Sequence, residues 1–406
     1  MERSQVINFG PGPSALPESV LEEATKGLIN YNGTGIGITE ISHRSKDFAA
    51  LTAKLEELVR TQLEVPSTHV VLFAQGGGSA QFSSVVLNML ARHRLLHPEL
   101  SDEQRVMDYV VTGSWTKKAA EEARRLGGGR VNVVADSREH SADGKSFDNI
   151  PPHEAFKLSP DPALIYYCDN ETVDGVQFAY AAEDSPTAFP FHLLKNQTLP
   201  PLVGDYSSSF MSRPIPHLAD HAIIFAGAQK NIGPAGLTIL IVRNDCLVDV
   251  DAAAKLGATP VPLTMAYKTL ADSTSLYNTP PMFSMYVSAL VLENMKNRGG
   301  LNTFEAMNRR KQEKVYAALK DGEGKGVFRL RVRDGSRSWM NVVFRGATED
   351  IEKEFLASGE SQGLKAMKGH RSIGGIRISL YNAITEEQVD RLVAFIREFL
   401  AQHTTP

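Results

Sequence analysis

Cysteine is scarce. Cys168 and Cys246 are the two cysteines among 406 residues, too few for a disulfide framework and in keeping with a reducing compartment. Long apolar runs are also missing. The most apolar stretches, HAIIFAGA and GLTILIVR, are far short of the roughly 20 residues that span a bilayer, and both read as buried strands. The opening residues, MERSQVINFGPGPSALP, lack the apolar core of a secretion signal. A cytoplasmic location without a membrane partner is therefore expected. There is no excess of positive charge, since the formal net charge is −4. No general field draws nucleic acid, and an anionic ligand must be met by a local cluster. Internal repeats and low-complexity segments are absent.

What is present is an ordinary globular composition, 42% apolar and 22% charged, in a chain long enough for about two domains. Apolar runs recur at 70–75, 107–113, 130–136, 163–170, 201–207, 221–227 and 236–243. Several are apolar throughout, as in strands covered on both faces. Helical patterns such as SAQFSSVVLNMLARHRLL and TKKAAEEARRLGG lie between them. This alternation predicts an α/β fold with a largely parallel sheet. The last third differs. TFEAMNRRKQEKVYAALKDG reads as a long amphipathic helix, and FRLRVR, MNVVFR and GIRISL follow as strands of a smaller α+β domain. The segment 181–200, with poor periodicity and three prolines, reads as a surface insertion.

Candidate chemistry gathers at the ends of these strands. QGGGSAQF at 75–82 opens a helix after a strand. Its glycines let a ligand approach the backbone, and free N–H groups at a helix start suit an anion. A plain turn is the other reading. A P-loop is excluded, because no Lys-Ser or Lys-Thr follows. The dinucleotide spacing is absent too. In GAQKNIGPAG, Lys230 sits just past a buried strand among small residues. It is either an exposed turn lysine or a partly desolvated amine able to attack a carbonyl. Asp205, ending the run PLVGDYS, is a cap or a carboxylate that would keep a pyridine nitrogen protonated. His43-Arg44 and His370-Arg371, with Arg377 beyond, offer paired donors for carboxylate or phosphate, or are solvated patches. Asn278 and Thr279 precede two prolines and either cap a helix or donate to phosphate. Trp115 is a ring-stacking or core residue, and Thr172 lies on a strand-exit turn, where α/β sheets contact ligands.

Taken together, the segments NFGPGPSALP, EISHRSKDF, VVLFAQGGGSAQF, YYCDNETVDG, DYSSSFMSRP, IIFAGAQKNIGPAG, SLYNTPPMFSMY and GHRSIGGIRISLYNA resemble the phosphoserine aminotransferases, class-V enzymes of fold type I that use pyridoxal 5′-phosphate (PLP). The resemblance covers nearly the whole chain, and FAGAQKNIGPAG and KGHRSIGGIR are its most specific parts. It implies a large domain over 16–307 with a mostly parallel seven-stranded sheet, and a small α+β domain from 1–15 and 308–406. It further implies PLP without a metal, with Lys230 as the Schiff-base lysine and proton shuttle. By the same resemblance, Asp205 faces the ring nitrogen, Trp115 stacks on the ring and Thr172 donates to its phenolic oxygen. Gly78, Ser79 and Gln229 meet the cofactor phosphate. Asn278 and Thr279 reach the same phosphate from the neighbouring subunit of a homodimer. Arg377 takes the substrate α-carboxylate. His43, Arg44, His370 and Arg371 take the substrate phosphate or the glutamate side-chain carboxylate.

The implied reaction converts 3-phosphohydroxypyruvate and L-glutamate to O-phospho-L-serine and 2-oxoglutarate, by ping-pong kinetics, in serine biosynthesis. Two departures stand out. Ser79 replaces an arginine found in some bacterial members, and the 181–200 insertion is longer than in compact members. Rival readings are another class-V enzyme, of the alanine–glyoxylate or cysteine desulfurase type, and a non-catalytic binding protein on the same fold. Cys168 and Cys246, in or beside strand-like runs, ill suit a desulfurase's mobile nucleophile.

Overall fold

The computed structural model describes residues 2–180, 185–195 and 199–403. Residues 181–184 and 196–198 of the expected insertion therefore lie outside the described residues.

Seven strands build the main sheet: β1 His69–Gln75, β2 Val106–Val111, β3 Arg130–Asp136, β4 Leu164–Cys168, β5 Leu202–Asp205, β6 His221–Gly227 and β7 Leu237–Arg243. They are the seven runs that the sequence marks as strands. Their order in space is β1-β7-β6-β5-β4-β2-β3. Strands β2 to β6 pair in parallel, while β7 runs antiparallel to both β1 and β6. The α/β fold with a mostly parallel sheet is thus the one expected. Every residue of β4 to β7 is buried, because helices cover both faces. Helices α1 Lys46–Leu63 and α4 Met282–Asn297 lie on one side, α2 Gly77–Leu96 and α3 Ser114–Leu126 on the other. Along β1, Val71 and Phe73 enter the first apolar cluster, and Leu72 and Ala74 the second, the period-two alternation of a strand between two layers.

The antiparallel β7 has a consequence for the site. Strands β1, β2, β4, β5 and β6 all run the same way, so their carboxyl ends share one edge. In such sheets, ligands bind outside that edge.

The last third packs separately. Helix α5 Gly300–Gly324 leads into a three-stranded antiparallel sheet of β8 Phe328–Leu330, β9 Asn341–Gly346 and β10 Ile376–Ser379. Helices α6 Glu349–Ser361 and α7 Glu386–His403 complete this part. A third apolar cluster joins Ile7 and Phe9 to residues from Val315 to Leu400. The start of the chain is held there by Ile7–Asn8, which pairs in parallel with Leu364–Lys365. One expected strand is shorter than its pattern. FRLRVR keeps only Phe328–Leu330 in the sheet, because the backbone then turns away and Arg333 N donates to Asp148 O at 2.9 Å.

Candidate active site

Five connections leave the shared sheet edge, and each carries a residue singled out in the sequence. Gly78 follows β1, Trp115 follows β2, Thr172 follows β4, Asp205 ends β5 and Lys230 follows β6.

Lys230 is not an exposed turn lysine: it keeps 8% of its surface. Its Nζ donates to Thr172 Oγ1 at 3.0 Å and to the Pro11 carbonyl at 3.2 Å. Burial pushes its pKa down to about 8, Asp205 opposes that shift and Arg377 adds to it. A fraction of free amine therefore exists near neutral pH, as a nucleophile requires.

Asp205 is also buried. Its Oδ1 accepts from Ser207 N at 2.9 Å, and Tyr166 OH lies 3.3 Å from Oδ2. Burial raises its pKa, against the pull of the Ser207 donors and Lys230. The carboxylate meets an amide and a phenol, and no Lys or Arg among the described residues bonds to it. A buried carboxylate left in that state suits a protonated ring nitrogen.

The glycine turn lies against the same group. A Cβ on Gly78 would stand 3.2 Å from Ser207 Oγ and 3.7 Å from Phe225, and that Oγ accepts from Gly227 N at 3.1 Å. Helix α2 begins at this turn without any side-chain cap, so its first N–H groups are open to an anion. Ser79 is exposed and Gln229 half-buried. Gln229 folds back over the neighbouring backbone, its Oε1 only 2.5 Å from where a Cβ on Gly227 would stand.

Arg377, on β10, donates through NH1 to the Thr172 carbonyl at 3.1 Å, and its buried Nε has no partner. Burial depresses its pKa. His370 feels burial first and then Arg377, Lys118 and Arg371, all of which lower its pKa. These cations form a local positive group in a chain of negative net charge. Such a group, with an unpartnered buried guanidinium nitrogen, suits a ligand with more than one anionic group.

The remaining sequence candidates sit elsewhere. Arg44, Asn278 and Thr279 are exposed. His43 Nδ1 lies 3.2 Å from Thr279 Oγ1, and its Nε2 is buried without a partner. Gln75 ties this patch to the end of β1 by donating to the Thr279 carbonyl at 2.8 Å. No hydrogen bond among the described residues joins the patch to Lys230, Asp205 or Arg377.

Several contributors have no role assigned by the motifs that contain or border them. Glu171, fully buried, accepts from Trp115 N, Thr116 N and Thr116 Oγ1 at 2.8, 2.9 and 2.7 Å. Asp174 takes Ser114 N at 2.7 Å. Lys118 Nζ lies 4.4 Å over the Trp115 ring. Tyr381 OH donates to Pro11 O at 3.0 Å. An acidic pair just after a strand could have drawn attention as a helix cap, but nothing local shows which helix it caps.

A second cluster, His93, His97 and Asp161, has metal-like spacing. Arg105 NH1, however, donates to His93 Nδ1 at 2.8 Å, which leaves the ring proton on Nε2, the atom that would have to face an ion. Burial holds His93 neutral, its pKa near 4.

The sequence matches the family "Aminotransferase class-V" over residues 6–392. It is 41% identical over 399 residues to the phosphoserine aminotransferase of Pseudomonas entomophila (strain L48), covering 98% of this chain and 99% of that one. The chain belongs to the phosphoserine aminotransferase family. Another member, from Azotobacter vinelandii, is 40% identical, again over 98% of this chain and 99% of its own. The solved structure of phosphoserine aminotransferase from Bacillus circulans subsp. alkalophilus superposes with a TM-score of 0.84 at 35% identity, covering 98% of this chain and 99% of that one. Among the described residues, no helix is long and apolar enough to cross a membrane.

Proposed function

We propose that this family member transfers the amino group of L-glutamate to 3-phosphohydroxypyruvate, giving O-phospho-L-serine and 2-oxoglutarate, as a PLP-dependent homodimer in the cytoplasm. The observation that carries this reading is the buried Lys230 amine, 3.0 Å from Thr172 and electrostatically coupled to Asp205 and Arg377. Membership of the family supports the rest. When bound, PLP supplies an electron-poor ring that accepts the electron pair left as the substrate α-proton departs.

The residues then divide the work. Lys230 would take the α-proton and deliver it to the cofactor's aldehyde-derived carbon, as base and then acid. Asp205 would keep a proton on the ring nitrogen, Trp115 would cover one ring face, and Thr172 would orient the ring through its phenolic oxygen. Gly78, Ser79 and Gln229 hold the cofactor phosphate, joined by Asn278 and Thr279 of a neighbouring copy. Arg377 binds the substrate α-carboxylate. His43, Arg44, His370 and Arg371 accept either the substrate phosphate or the glutamate side-chain carboxylate, so one site serves both substrates in turn. The contact between His43 and Thr279 supports the inference that whichever copy supplies one supplies the other. The division into 16–307 and 1–15 with 308–406 is part of the same proposal, and the separate third apolar cluster supports it.

A cysteine desulfurase is disfavoured, since Cys168 and Cys246 are buried and burial pushes both thiols up, Cys246 to about 12. The deciding experiment is an absorbance spectrum of the PLP-loaded protein before and after adding O-phospho-L-serine, with L-alanine as control. Bleaching of the visible band by phosphoserine alone is expected. Bleaching by alanine alone would replace phosphoserine with an alanine–glyoxylate type of substrate. Absence of a band after PLP is added would leave a binding protein on this fold.

A further inference from the structure

The N-terminal segment Phe9–Ser14 crosses beside Lys230 as a strap. Its outer end is fixed to the C-terminal part of the chain. Phe9 N donates to Lys365 O at 3.0 Å, and Ser379 N donates to Phe9 O at 3.3 Å. Its inner end grips Lys230 and its neighbour. Ser14 N donates to Gln229 O at 3.0 Å, and Ser14 Oγ donates to the Lys230 carbonyl. Between them, Gly12 has φ +131°, and a Cβ there would stand 3.5 Å from Lys230 Cε. That φ suits glycine.

The Pro11 carbonyl faces the lysine and accepts from two donors, Lys230 Nζ at 3.2 Å and Tyr381 OH at 3.0 Å. A carbonyl oxygen has two lone pairs, so both are used. Tyr381 is buried, and its hydroxyl accepts from Asn341 Nδ2 at 3.1 Å. Its proton therefore points at Pro11. The turn carrying Tyr381 is itself held on several sides. Lys311 Nζ, fully buried, donates to the carbonyls of Leu380, Tyr381 and Ile384 at 2.9, 3.0 and 2.9 Å. Asn382 N donates to Oδ1 of Asn231, the residue after Lys230, at 2.9 Å.

A neutral amine has two N–H groups and one lone pair. With one N–H on Thr172 Oγ1 and the other on Pro11 O, the lone pair is left pointing away from both. We infer that Pro11 O and Thr172 Oγ1 form a holding site for the free Lys230 amine that aims its lone pair at the substrate α-proton, with Tyr381 as the positioning residue that fixes Pro11. This rests on the aminotransferase reading. It adds that the strap and Tyr381 set the efficiency of proton transfer and leave substrate binding alone.

The test is Tyr381→Phe in the PLP-loaded enzyme, with L-glutamate and its α-deuterated form. Losing one neutral hydrogen bond should lower kcat by about three- to tenfold. KM for both substrates should stay unchanged, and the deuterium isotope effect on kcat should rise as proton transfer becomes limiting. A second readout is independent of turnover: in the apoenzyme, hydrogen exchange in the peptide spanning the strap should quicken. Should Tyr381→Phe fail to fold, Ser14→Ala, which loosens the strap at its other end, should give the same signature. Thr172→Val removes the other acceptor and should also slow proton transfer, with rescue by Thr172→Ser. Wild-type kcat and isotope effect in folded Tyr381→Phe would overturn the inference. A wild-type protein that neither binds PLP nor transaminates would overturn the functional reading instead.

Discussion

At the scale of single residues, the site is a contest between burial and charge around one amine. Burial and Arg377 hold the Lys230 pKa down near 8, and Asp205 pulls it up. Below that value the group is an ammonium ion and cannot attack. In the apoenzyme, its reaction with an amine-directed reagent should therefore rise with pH about a midpoint near 8, not near the ordinary lysine value of 10.5. Arg377→Gln removes a repelling cation and should raise the midpoint, whereas Asp205→Asn removes an attracting anion and should lower it. Mass-spectrometric modification rates for the peptide carrying Lys230 would measure all three. Equal midpoints in the two variants would show that neither charge acts on the amine. Lys230→Ala should abolish transamination, and a steady-state rate near wild type would refute its role. Much of this was legible in the sequence, because Lys230, Asp205, Thr172 and Arg377 lie in short motifs with fixed flanking glycines and strands. Glu171 and Tyr381 were not, because each acts on a residue far away in the chain, as Glu171 does on Trp115, and nothing local to Ser207 shows that its hydroxyl meets Gly227. The burial of Lys230 was left open by its sequence neighbours and is settled by the strap from Phe9 to Ser14, which closes over it.

At the scale of elements, α3 depends on a cap it does not carry. Gly113 precedes it without a capping side chain, and the first free N–H groups are taken by Glu171 and Asp174 from the turn after β4. Burial and the nearby Asp174 push the Glu171 pKa up, and the donors of the helix pull it back. The same turn holds Thr172, so one clasp sets the positions of both Thr172 and Trp115. The fit admits no side chain at Gly113, where a Cβ would lie 2.3 Å from Glu171 Cδ. Glu171→Ala leaves these buried donors unmet and should cost at least about 1–3 kcal/mol in urea unfolding. It should also weaken PLP binding, read as quenching of Trp115 fluorescence in a Trp339→Phe background. Unchanged stability and quenching would show that the clasp holds neither the helix nor the cofactor site. The clasp was invisible in the sequence, whereas the strands were plain, since an unbroken apolar run of β-branched residues marks a doubly covered strand. The direction of β7 was not, because GLTILIVR, apolar on both faces, suits either orientation. FRLRVR has the alternation of a longer strand, and only the bond from Arg333 to Asp148 explains its early exit.

At the scale of the whole molecule, the residues that the proposed function calls on fall into two sets. One gathers around Lys230 at the carboxyl edge of the sheet. The other, with His43, Arg44, Asn278 and Thr279, faces solvent beside the end of β1. An unpartnered buried nitrogen on His43, set among exposed polar groups, is out of place on a free surface and suits an interface. The proposed homodimer is one in which the second set of one copy meets the first set of the other, and a two-fold interface, being reciprocal, would then complete both sites. This arrangement makes a prediction that no monomer shares. Lys230→Ala homodimers lack the amine, and His43→Ala/Arg44→Ala homodimers lack the second anion grip, so each alone should be nearly inactive toward phosphoserine. Mixed and reassociated, a hybrid dimer joins the intact Lys230 of one chain to the intact His43 and Arg44 of the other in one of its sites. With random pairing, activity should return to about a quarter of wild type. If both sets serve the same chain's site, every hybrid site lacks either the amine or the anion grip, and mixing restores nothing.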